Sequence, residues 1–297
     1  MDGKYTLSTG PVLMSDLKSL LETVDVFWFR LAYKIDEKVL TNHTRCRVLA
    51  TPVTGIDHID ENLCRKYNIE IVCLRGETEF LKEVRATAEH TIFLTLALLR
   101  KGLSSISSVL AGHWKRDDFR GYEVYGKKVG IIGMGRLGQI VAAYFKAMGC
   151  HILYFDTAER QNLEGFHEVN SMERLIELSD IVSLHIPYNE KNHKVLDSSI
   201  LKRFTGSKWL INTSRGGVID EEALVNVLKH SHLGGYATDV LYGEPDIAKN
   251  PLFIYAKDHE NIIITPHIGG NTYESFNKTE RFIADKIYRW VGKNYNV

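Results

Sequence analysis

The chain has 297 residues, a length that favours two domains, each with room for its own hydrophobic core. Its 37 Lys and Arg residues balance 37 Asp and Glu residues, so no bulk field favours nucleic acid or an anionic membrane. Residues 1–16 lack the apolar core of a signal peptide, and the longest apolar helical run, 91–99, is too short to cross a bilayer. We therefore expect a cytoplasmic protein with neither a nucleic-acid nor a membrane partner.

The first 75 residues alternate helical and strand-like patterns. Helical patterns occupy 13–21 and 63–67, strand-like runs occupy 25–31 and 69–74, and residues 40–49 suggest a further helix followed by a strand. Such alternation is typical of a parallel sheet. The charged, irregular segment that follows, 76–85, is interpreted as a solvated loop rather than as the lip of a pocket.

A strongly apolar helix at 86–99 and a polar, aromatic-rich loop at 114–125 precede a second alternating series. Strands are predicted at 129–132, 152–155, 181–185, 209–212, 235–240 and 262–264, and helices at 140–148, 175–178, 198–204, 220–228 and 273–291. The chain should therefore form two α/β units, with the C-terminal helix returning to the first of them.

The chain contains four cysteines, Cys46, Cys64, Cys73 and Cys150, and none of them forms a C-x-x-C pair. Three of the four lie in or beside apolar runs. We expect reduced cysteines that pack in the core.

Residues 128–156, KVGIIGMGRLGQIVAAYFKAMGCHILYFD, form the segment around which the chain is organised. A buried strand leads into Gly133, Gly135 and Gly138 in G-x-G-x-x-G spacing, followed by a helix and a second strand. The first glycine permits the tight turn, the second lets the backbone approach a pyrophosphate, and the third lets helix and strand pack closely. The helix N-terminus supplies unpaired N–H groups and a positive dipole end for that anion.

Asp156 ends the second strand, with 17 residues between it and Gly138. Its carboxylate can accept hydrogen bonds from ribose hydroxyls there. A lone glycine motif also occurs for packing reasons, but strand, helix, second strand and terminal acid together favour dinucleotide binding over a purely structural βαβ unit. An acid at this place also suits methyltransferases that bind S-adenosylmethionine, so this segment alone leaves both classes open.

Polar side chains follow three predicted strands at their carboxyl ends, where open α/β sheets bind ligands. Arg215 can hold a carboxylate through two parallel hydrogen bonds, although a surface salt bridge explains it equally well. Glu244 lies in a turn before a proline, a common structural position. His267 lies between a proline and two glycines, which is unusual for a core histidine, and Asp239 is a further acid near a strand end.

The joint occurrence of these side chains fits one reaction. His267 would exchange a proton with a hydroxyl or carbonyl oxygen, and Glu244 would fix its tautomer and stabilise the imidazolium. Arg215 would bind a substrate carboxylate and polarise the carbonyl. A nicotinamide held at the glycine motif would give or take the hydride.

Four segments, GMGRLG, INTSRGGVIDEEAL, ATDVLYGEP and TPHIGG, occur in this order along the chain. Their order and spacing resemble the D-isomer-specific 2-hydroxyacid dehydrogenases, a family that includes phosphoglycerate dehydrogenases and glyoxylate/hydroxypyruvate reductases. The resemblance covers roughly residues 24–295. An S-adenosylmethionine enzyme does not account for the TSRGG and TPHIGG segments.

This resemblance implies that Arg215, Glu244 and His267 are the catalytic residues. It implies NAD contacts for the glycine motif and neighbouring positions: Gly133, Gly135, Arg136, Leu137, Gly138, Asp156, Thr213, Ser214 and Asp239. TPVTGIDHID at 51–60 is similar to the loop whose backbone amides hold the substrate carboxylate, which implies substrate contacts at Val53, Thr54 and Gly55 and a cofactor contact at Thr54. FRLAYKI is similar to the family's R-S-x-T-K-V segment, which makes Arg30 a candidate for the far end of the substrate.

Two departures from the family pattern are visible. Val53 stands where the substrate loop often has glycine, and 76–85 is longer and more charged than the family's N-T-P-x-x-N connection. The implied fold is two Rossmann-like, doubly wound parallel-sheet domains with the active site in the cleft between them. Residues 1–87 and 271–297 would form the substrate domain, and 88–270 the dinucleotide-binding domain.

The sequence therefore predicts an NAD-dependent D-2-hydroxyacid dehydrogenase that reduces a small 2-oxoacid, without a metal ion, and forms a homodimer. An NAD(H)-sensing binding protein of the corepressor type, which shares this fold, is the alternative. The Arg215–Glu244–His267 set does not exclude it, and turnover would distinguish the two.

Overall fold

A computed structural model describes residues 6–31, 33–160, 163–230 and 233–295. Residues 1–5 of the predicted substrate domain lie outside this description. The chain divides into two compact units, Met1–Glu77 with Asn277–Val297 and Thr78–Phe276. The predicted substrate domain also included 78–87 and 271–276, and its functional assignment stays a prediction.

The first unit contains a three-stranded parallel sheet in the order β1–β2–β3, formed by β1 (Val26–Trp28), β2 (Val48–Ala50) and β3 (Glu70–Val72). The same unit contains helices α1 (Met14–Leu21) and α2 (Glu61–Lys66). All three side chains of the central strand β2 are buried, as expected for a parallel strand covered on both faces.

The helix predicted within 40–49 is wrong, because residues 41–47 form turns and irregular backbone ahead of β2. Two threonines explain the difference. The Thr44 hydroxyl accepts a hydrogen bond from Thr41 N–H at 2.9 Å, and the Thr41 hydroxyl accepts one from His43 N–H at 3.2 Å. Side-chain bonds of this kind compete with the backbone bonds of a helix.

The C-terminal helix, α11 (Tyr273–Tyr295), is tied to the first unit by polar contacts. Lys286 Nζ donates to the carbonyl of Cys73 at 3.0 Å and to Glu77 Oε1 at 2.7 Å. Trp290 Nε1 donates to Glu70 Oε2 at 2.5 Å. The last helix of the chain thus belongs to the same unit as its first strands.

The second unit contains a seven-stranded, all-parallel sheet in the order β10–β9–β8–β7–β4–β5–β6. Its strands are β4 (Lys128–Ile132), β5 (His151–Phe155), β6 (His167–Glu168), β7 (Ile181–Leu184), β8 (Trp209–Asn212), β9 (Gly235–Thr238) and β10 (Ile262–Ile264). Its helices are α3 (Thr78–Leu81), α4 (Ala86–Leu99), α5 (Gly102–Leu110), α6 (Arg136–Ala147), α7 (Met172–Leu178), α8 (Ser198–Leu201), α9 (Glu221–Lys229) and α10 (Pro251–Ala256). The predicted α/β class with parallel sheets is confirmed.

Two clusters of buried apolar side chains pack against this sheet. Alternate residues of a strand enter different clusters: on β8, Leu210 joins one, while Trp209 and Ile211 join the other. Because successive side chains of a strand point to opposite faces, the sheet is covered on both sides. This explains why its strands appear in the sequence as continuous apolar runs.

Helix α5 was not predicted, and it lies between the apolar helix α4 and the loop at 114–125. Its apolar residues Leu103, Ile106 and Leu110 follow helical spacing, but four serines between them weaken the pattern. The helix starts after Lys101, which has a left-handed backbone conformation (φ 50°). The short elements β6 and α10 were also missed.

Helix α4 contains the longest apolar run of the chain. Within the described residues, no single helix is both long and apolar enough to cross a membrane. The bent pair formed by 78–99 and 102–110 reaches that length and composition only when the two are taken together.

All four cysteines are buried and free of disulfide bonds, as predicted. Burial raises the pKa of the Cys46 thiol to about 11 and that of Cys64 to about 12. Burial also raises the pKa of Cys150. These thiols therefore stay protonated and act as small apolar side chains.

Candidate functional site

The strand order places a topological switch point at β4. From β4 the chain adds β5 and β6 on one side of the sheet, and β7, β8, β9 and β10 on the other. Ligands of open α/β sheets bind where this reversal occurs, at the carboxyl ends of the strands. The glycine motif Gly133–Gly138 follows β4 at that point.

The glycine loop fits a pyrophosphate. Gly133 has a left-handed backbone (φ 94°), and a Cβ there would lie 2.6 Å from the carbonyl oxygen of His185. A Cβ on Gly138 would lie 2.1 Å from the carbonyl oxygen of Gly133, so only glycine permits this packing. Gly135 caps α6 without a side-chain hydrogen bond, and a Cβ there would meet nothing within 4 Å. The N-terminus of α6 therefore faces open space, where its N–H groups can hold an anion.

Arg136 and Leu137 follow Gly135 at the start of α6. Arg136 Nη1 donates to the carbonyl oxygens of Leu81 at 2.9 Å and Val84 at 3.3 Å. Burial, together with the nearby charge of Arg85, lowers the pKa of Arg136. Leu137 packs against the apolar core of this unit.

The segment 76–85 is not simply the solvated loop that was predicted. It contains the short helix α3, whose Leu81 is buried. Its carbonyl oxygens also hold the guanidinium of Arg136. The unusual length of this segment thus has a structural consequence at the start of α6.

Asp156 lies at the end of β5, accepts three hydrogen bonds and forms an ion pair with Arg160. Its Oδ2 accepts from Met134 N–H at 2.8 Å and from Arg160 Nε at 2.9 Å, and Arg160 Nη2 lies 2.9 Å from the same oxygen. Its Oδ1 accepts from Ala158 N–H at 2.9 Å. The carboxylate therefore holds the glycine loop and forms an ion pair with Arg160.

The segment after β8 is held by side chains of its own. Asn212 Oδ1 accepts from Ser214 N–H at 2.9 Å and from Ser214 Oγ at 2.7 Å, while Asn212 Nδ2 donates to the carbonyl of Arg215 at 3.0 Å. Arg215 Nη1 donates to the carbonyl of Ser214 at 2.9 Å. The Thr213 hydroxyl lies 2.9 Å from the Thr91 hydroxyl of α4. Thr213 and Ser214 are buried, and their hydroxyls serve this local network.

His267 and Glu244 form a hydrogen-bonded pair between Nδ1 of the histidine and Oε1 of the glutamate. Their side chains are 26% and 31% exposed, so solutes can reach them. His267 has a left-handed backbone conformation (φ 53°), and its N–H donates to the carbonyl of Asp239 at 2.9 Å. Because Nδ1 is occupied by the carboxylate, Nε2 is the nitrogen left to exchange a proton.

The strand order places these two residues and Arg215 after neighbouring strands. Strands β8, β9 and β10 are neighbours in the sheet, and they precede Arg215, Glu244 and His267 respectively. Close packing brings the connecting loops together: a Cβ on Gly216 would lie 2.2 Å from the backbone of Leu241. The sheet topology places the three side chains after adjacent strands, and their catalytic roles stay a prediction.

Asp239 is buried beneath the His267 loop. It accepts hydrogen bonds from Ile268 N–H at 2.8 Å, Gly269 N–H at 2.6 Å and the Thr265 hydroxyl at 2.6 Å, and His90 Nε2 lies 3.3 Å away. Burial alone would raise the pKa of Asp239, but hydrogen bonds from His90, Thr265 and the two amides outweigh it and hold the pKa below its usual range. The carboxylate therefore stays charged and anchors this loop, whereas the cofactor contact assigned to it stays a prediction.

A second buried carboxylate, Glu221, anchors the loop that carries Glu244. It accepts from Tyr242 N–H at 2.8 Å and from Asn250 Nδ2 at 2.5 Å, and Asn250 Nδ2 also donates to the Tyr242 carbonyl at 3.1 Å. Burial raises the pKa of Glu221, and the charge of Glu244 contributes in the same direction. Sequence reasoning missed Glu221, Asn250 and His90, since their partners lie far away in the chain.

The substrate candidates Arg30 and Val53–Gly55 belong to the first unit. Arg30 Nε donates to Glu280 Oε1 at 2.9 Å, and Arg30 Nη2 donates to the Thr279 hydroxyl at 3.2 Å, so α11 holds this guanidinium. Val53–Gly55 follow β2, and the carbonyl of Val53 accepts from Leu74 N–H at 3.0 Å. Thr54 is exposed at the surface of the unit.

His185 follows β7 beside Gly133. Its Nε2 lies 2.9 Å from the Ser183 hydroxyl, while its Nδ1 is buried without a hydrogen-bond partner in the described part of the chain. Burial lowers the pKa of His185 to about 3, so the folded protein keeps the ring neutral.

We expect acid to destabilise the protein through this residue. Because the unfolded histidine binds a proton below about pH 6.5 and the folded one does not, stability falls as pH decreases from there towards the folded pKa. In urea unfolding, the free-energy difference between wild type and His185→Gln should shift by about 1–2 kcal/mol against wild type on going from about pH 7.5 to pH 5. A difference that does not change with pH would contradict a neutral buried ring.

Among the described residues, no group of three or more His, Cys, Asp or Glu side chains is arranged to hold a metal ion.

Residues 92–269 match the family model described as D-isomer specific 2-hydroxyacid dehydrogenase, NAD binding domain. The chain belongs to the D-isomer-specific 2-hydroxyacid dehydrogenase family. The family resemblance inferred from the four motifs is thereby confirmed.

The curated relatives of this chain include phosphoglycerate dehydrogenases and glyoxylate reductases. It is 31% identical over 277 residues to D-3-phosphoglycerate dehydrogenase of Synechocystis, covering 92% of this chain and 48% of the relative. It is 32% identical over 260 residues to glyoxylate reductase of Korarchaeum cryptofilum, covering 85% of this chain and 75% of the relative. The chain spans about half the length of the phosphoglycerate dehydrogenases that it matches.

Solved structures of the family share this fold. D-lactate dehydrogenase from Aquifex aeolicus, complexed with NAD and lactic acid, superposes with a TM-score of 0.83 at 26% identity, over 94% of this chain and 86% of that one. The predicted fold class is confirmed by this similarity, together with the two parallel sheets.

Proposed function

We propose that the chain is an NAD-dependent D-2-hydroxyacid dehydrogenase that acts as a 2-oxoacid reductase on a small substrate. The observation that carries this proposal is the His267–Glu244 pair, which lies on the sheet edge that also carries Arg215 and the glycine loop. The match to the family's NAD-binding domain and the curated dehydrogenase and reductase relatives support it.

In this proposal His267 is the acid–base residue. In the reduction direction, protonated His267 donates its Nε2 proton to the oxygen of the carbonyl group, and in the oxidation direction the neutral ring accepts that proton. Glu244 accepts the Nδ1–H, fixes the tautomer and stabilises the imidazolium. Arg215 binds the substrate carboxylate and polarises the carbonyl group with its planar guanidinium.

The residues of the glycine loop fit the pyrophosphate of NAD. Backbone N–H groups at the N-terminus of α6, from Gly135 onward, would hold that anion because the space at Gly135 is open, while Gly133 and Gly138 would permit the turn and the close packing beside it. Asp156 would accept from the adenosine ribose. NAD supplies the hydride acceptor or donor when bound. Contacts from Arg136, Leu137, Thr213, Ser214 and Asp239 are proposed from the family resemblance.

The substrate contacts in the first unit are also proposed from the resemblance. Backbone amides of Val53, Thr54 and Gly55 would bind the substrate carboxylate, with Thr54 close to the cofactor as well. Arg30 would contact the far end of the substrate. Because Glu280 pairs with Arg30, the net charge offered by this position is smaller than that of a lone arginine.

Turnover tests the proposal against the corepressor-type alternative. Purified protein is mixed with NADH and a panel of 2-oxoacids that includes phosphate-bearing acids, dicarboxylic acids and sugar acids. The loss of NADH absorbance is then followed. The reverse reaction is measured with both enantiomers of each 2-hydroxyacid. We expect reduction of at least one oxoacid and oxidation of the D enantiomer only. Tight NADH binding without turnover of any substrate would favour the sensing protein.

Replacing Glu244 with Gln should lower kcat by about 10²-fold or more, because an amide does not hold the imidazole in one tautomer or stabilise its charged form. NADH affinity, measured by fluorescence titration, should stay within about twofold, since Glu244 acts through His267. An unchanged kcat would mean that the observed hydrogen bond has no part in the reaction.

We also propose a cytoplasmic homodimer. Helix α5 and the residues after it expose apolar side chains: Leu103, Ile106, Val109, Leu110 and Trp114 are 48–86% accessible. An exposed apolar patch of this kind is typical of a protein–protein interface. Light scattering after size-exclusion chromatography measures the mass directly, and a mass near 33.8 kDa would contradict the dimer.

A further inference from the structure

The ion pair between Asp156 and Arg160 bears on which nicotinamide cofactor the protein accepts. An acid at the end of the second Rossmann strand ordinarily selects NAD, because it accepts from the ribose 2′-hydroxyl and repels a 2′-phosphate. Here both Arg160 Nε and Arg160 Nη2 lie 2.9 Å from Asp156 Oδ2. The acid therefore does not face the ribose position as an isolated negative charge.

The two side chains differ in exposure. The Asp156 side chain is 8% exposed, whereas that of Arg160 is 33% exposed. Asp156 is held in place by the N–H groups of Met134 and Ala158, so the carboxylate is the fixed partner. Arg160 reaches it from the solvent side through a long side chain with several rotatable bonds.

Arg160 has unused donor capacity. A guanidinium carries five N–H donors; Nε of this one donates to Asp156 Oδ2, and its Nη2 lies 2.9 Å from the same oxygen. Both of these contacts go to Oδ2, while Oδ1 accepts from Ala158 N–H. A phosphate group, with a charge of about −1.5 to −2 at neutral pH, is a stronger partner for arginine than one carboxylate oxygen.

We propose that Arg160 is a cofactor-specificity residue that binds the 2′-phosphate of NADP(H), so that the protein accepts this cofactor in addition to NAD(H). With NAD(H), Arg160 stays paired with Asp156, and Asp156 Oδ1 accepts from the ribose. With NADP(H), the Arg160 guanidinium turns to the 2′-phosphate and screens it from the negative charge of Asp156. This inference rests on the proposed function and concerns the same nucleotide site.

Binding of adenosine nucleotides tests the inference without turnover. Isothermal titration calorimetry measures the affinities of 5′-AMP and adenosine 2′,5′-bisphosphate for wild type, Arg160→Gln and Arg160→Lys. Arg174→Gln is the matched control, because Arg174 also pairs with an acid of this unit, Glu177, but on helix α7. Thermal unfolding of each variant verifies that it is folded.

We expect Arg160→Gln to weaken binding of the bisphosphate about tenfold and to change 5′-AMP affinity by less than about twofold. Arg160→Lys should lie between wild type and Arg160→Gln, because an ammonium keeps the charge but loses the planar fork. Arg174→Gln should change neither affinity.

Three results would overturn the inference. Bisphosphate affinity that is unchanged in Arg160→Gln would remove the role of Arg160 while leaving the nucleotide site intact. An equal loss for both nucleotides would show that Arg160 only supports the local structure. If wild type bound neither nucleotide nor NADH, the proposed dehydrogenase function would fail together with the inference.

Discussion

Replacing His267 with Gln is expected to lower kcat for 2-oxoacid reduction by about 10²–10⁴-fold, which is the usual contribution of a general acid. The imidazole is hydrogen-bonded to Glu244 through Nδ1, and glutamine has no ring nitrogen that can deliver a proton from the Nε2 position. The measurement is steady-state turnover of NADH with the best oxoacid found in the substrate panel.

The backbone at position 267 requires a second variant. His267 has φ 53°, a left-handed conformation that asparagine tolerates better than most other residues. His267→Asn should therefore lose as much activity as His267→Gln while disturbing the loop less. NADH affinity is the control and should stay within about twofold in both variants, because His267 is not expected to hold the cofactor. A parallel collapse of NADH affinity and rate would identify His267 as a structural residue.

Replacing Arg215 with Lys is expected to lower kcat/KM for the oxoacid by about 10- to 100-fold, with much of the loss in KM. Lysine keeps the positive charge but does not form the planar two-point contact with a carboxylate, and hydrogen bonds between charged groups contribute about 1.5–3 kcal/mol. Arg215 Nη1 already donates to the Ser214 carbonyl, which orients the guanidinium before substrate binds. An ammonium does not reproduce that orientation.

A matched arginine controls for general effects of this substitution. Arg203 pairs with Glu177 at 2.9 Å, and its side chain is 54% exposed. Arg203→Lys should leave both kcat and KM unchanged, since exposed ion pairs contribute little. Oxoacid kinetics of Arg215→Lys within about threefold of wild type would be incompatible with a bidentate substrate contact at this position.

The nucleotide segment shows how far sequence reasoning reaches. The strands predicted at 129–132 and 152–155 are observed at Lys128–Ile132 and His151–Phe155, and the helical pattern predicted at 140–148 belongs to the helix Arg136–Ala147. The signals are local, because apolar periodicity and glycine spacing act within a few turns of the chain. The same holds at α9, where a helix was predicted at 220–228 and Asp220 caps the observed helix by accepting from Ala223 N–H at 3.1 Å.

The failures have equally specific causes. Turn-forming threonines replaced the helix predicted within 40–49. Helix α5 was missed because four serines separate its apolar residues, so the helical spacing does not stand out in the sequence. Both the loss of the helix within 40–49 and the presence of α5 are hard to predict from one sequence. Local side-chain hydrogen bonds and packing with other elements can override helix propensity.

The sequence by itself determined the family, the strand–glycine–helix segment and the identity of the three polar side chains, because each depends on residues close together in the chain. Only the tertiary structure decided which strands are neighbours, and hence that Arg215, Glu244 and His267 share one sheet edge. It also decided that Asp239 is anchored beside His90, that Arg136 is held by residues 81 and 84, and that Asp156 is paired with Arg160. The first two of these contacts join residues that lie about 50 to 150 positions apart, and the third depends on the path of the chain after β5. Their geometry follows from how the elements pack rather than from any local pattern.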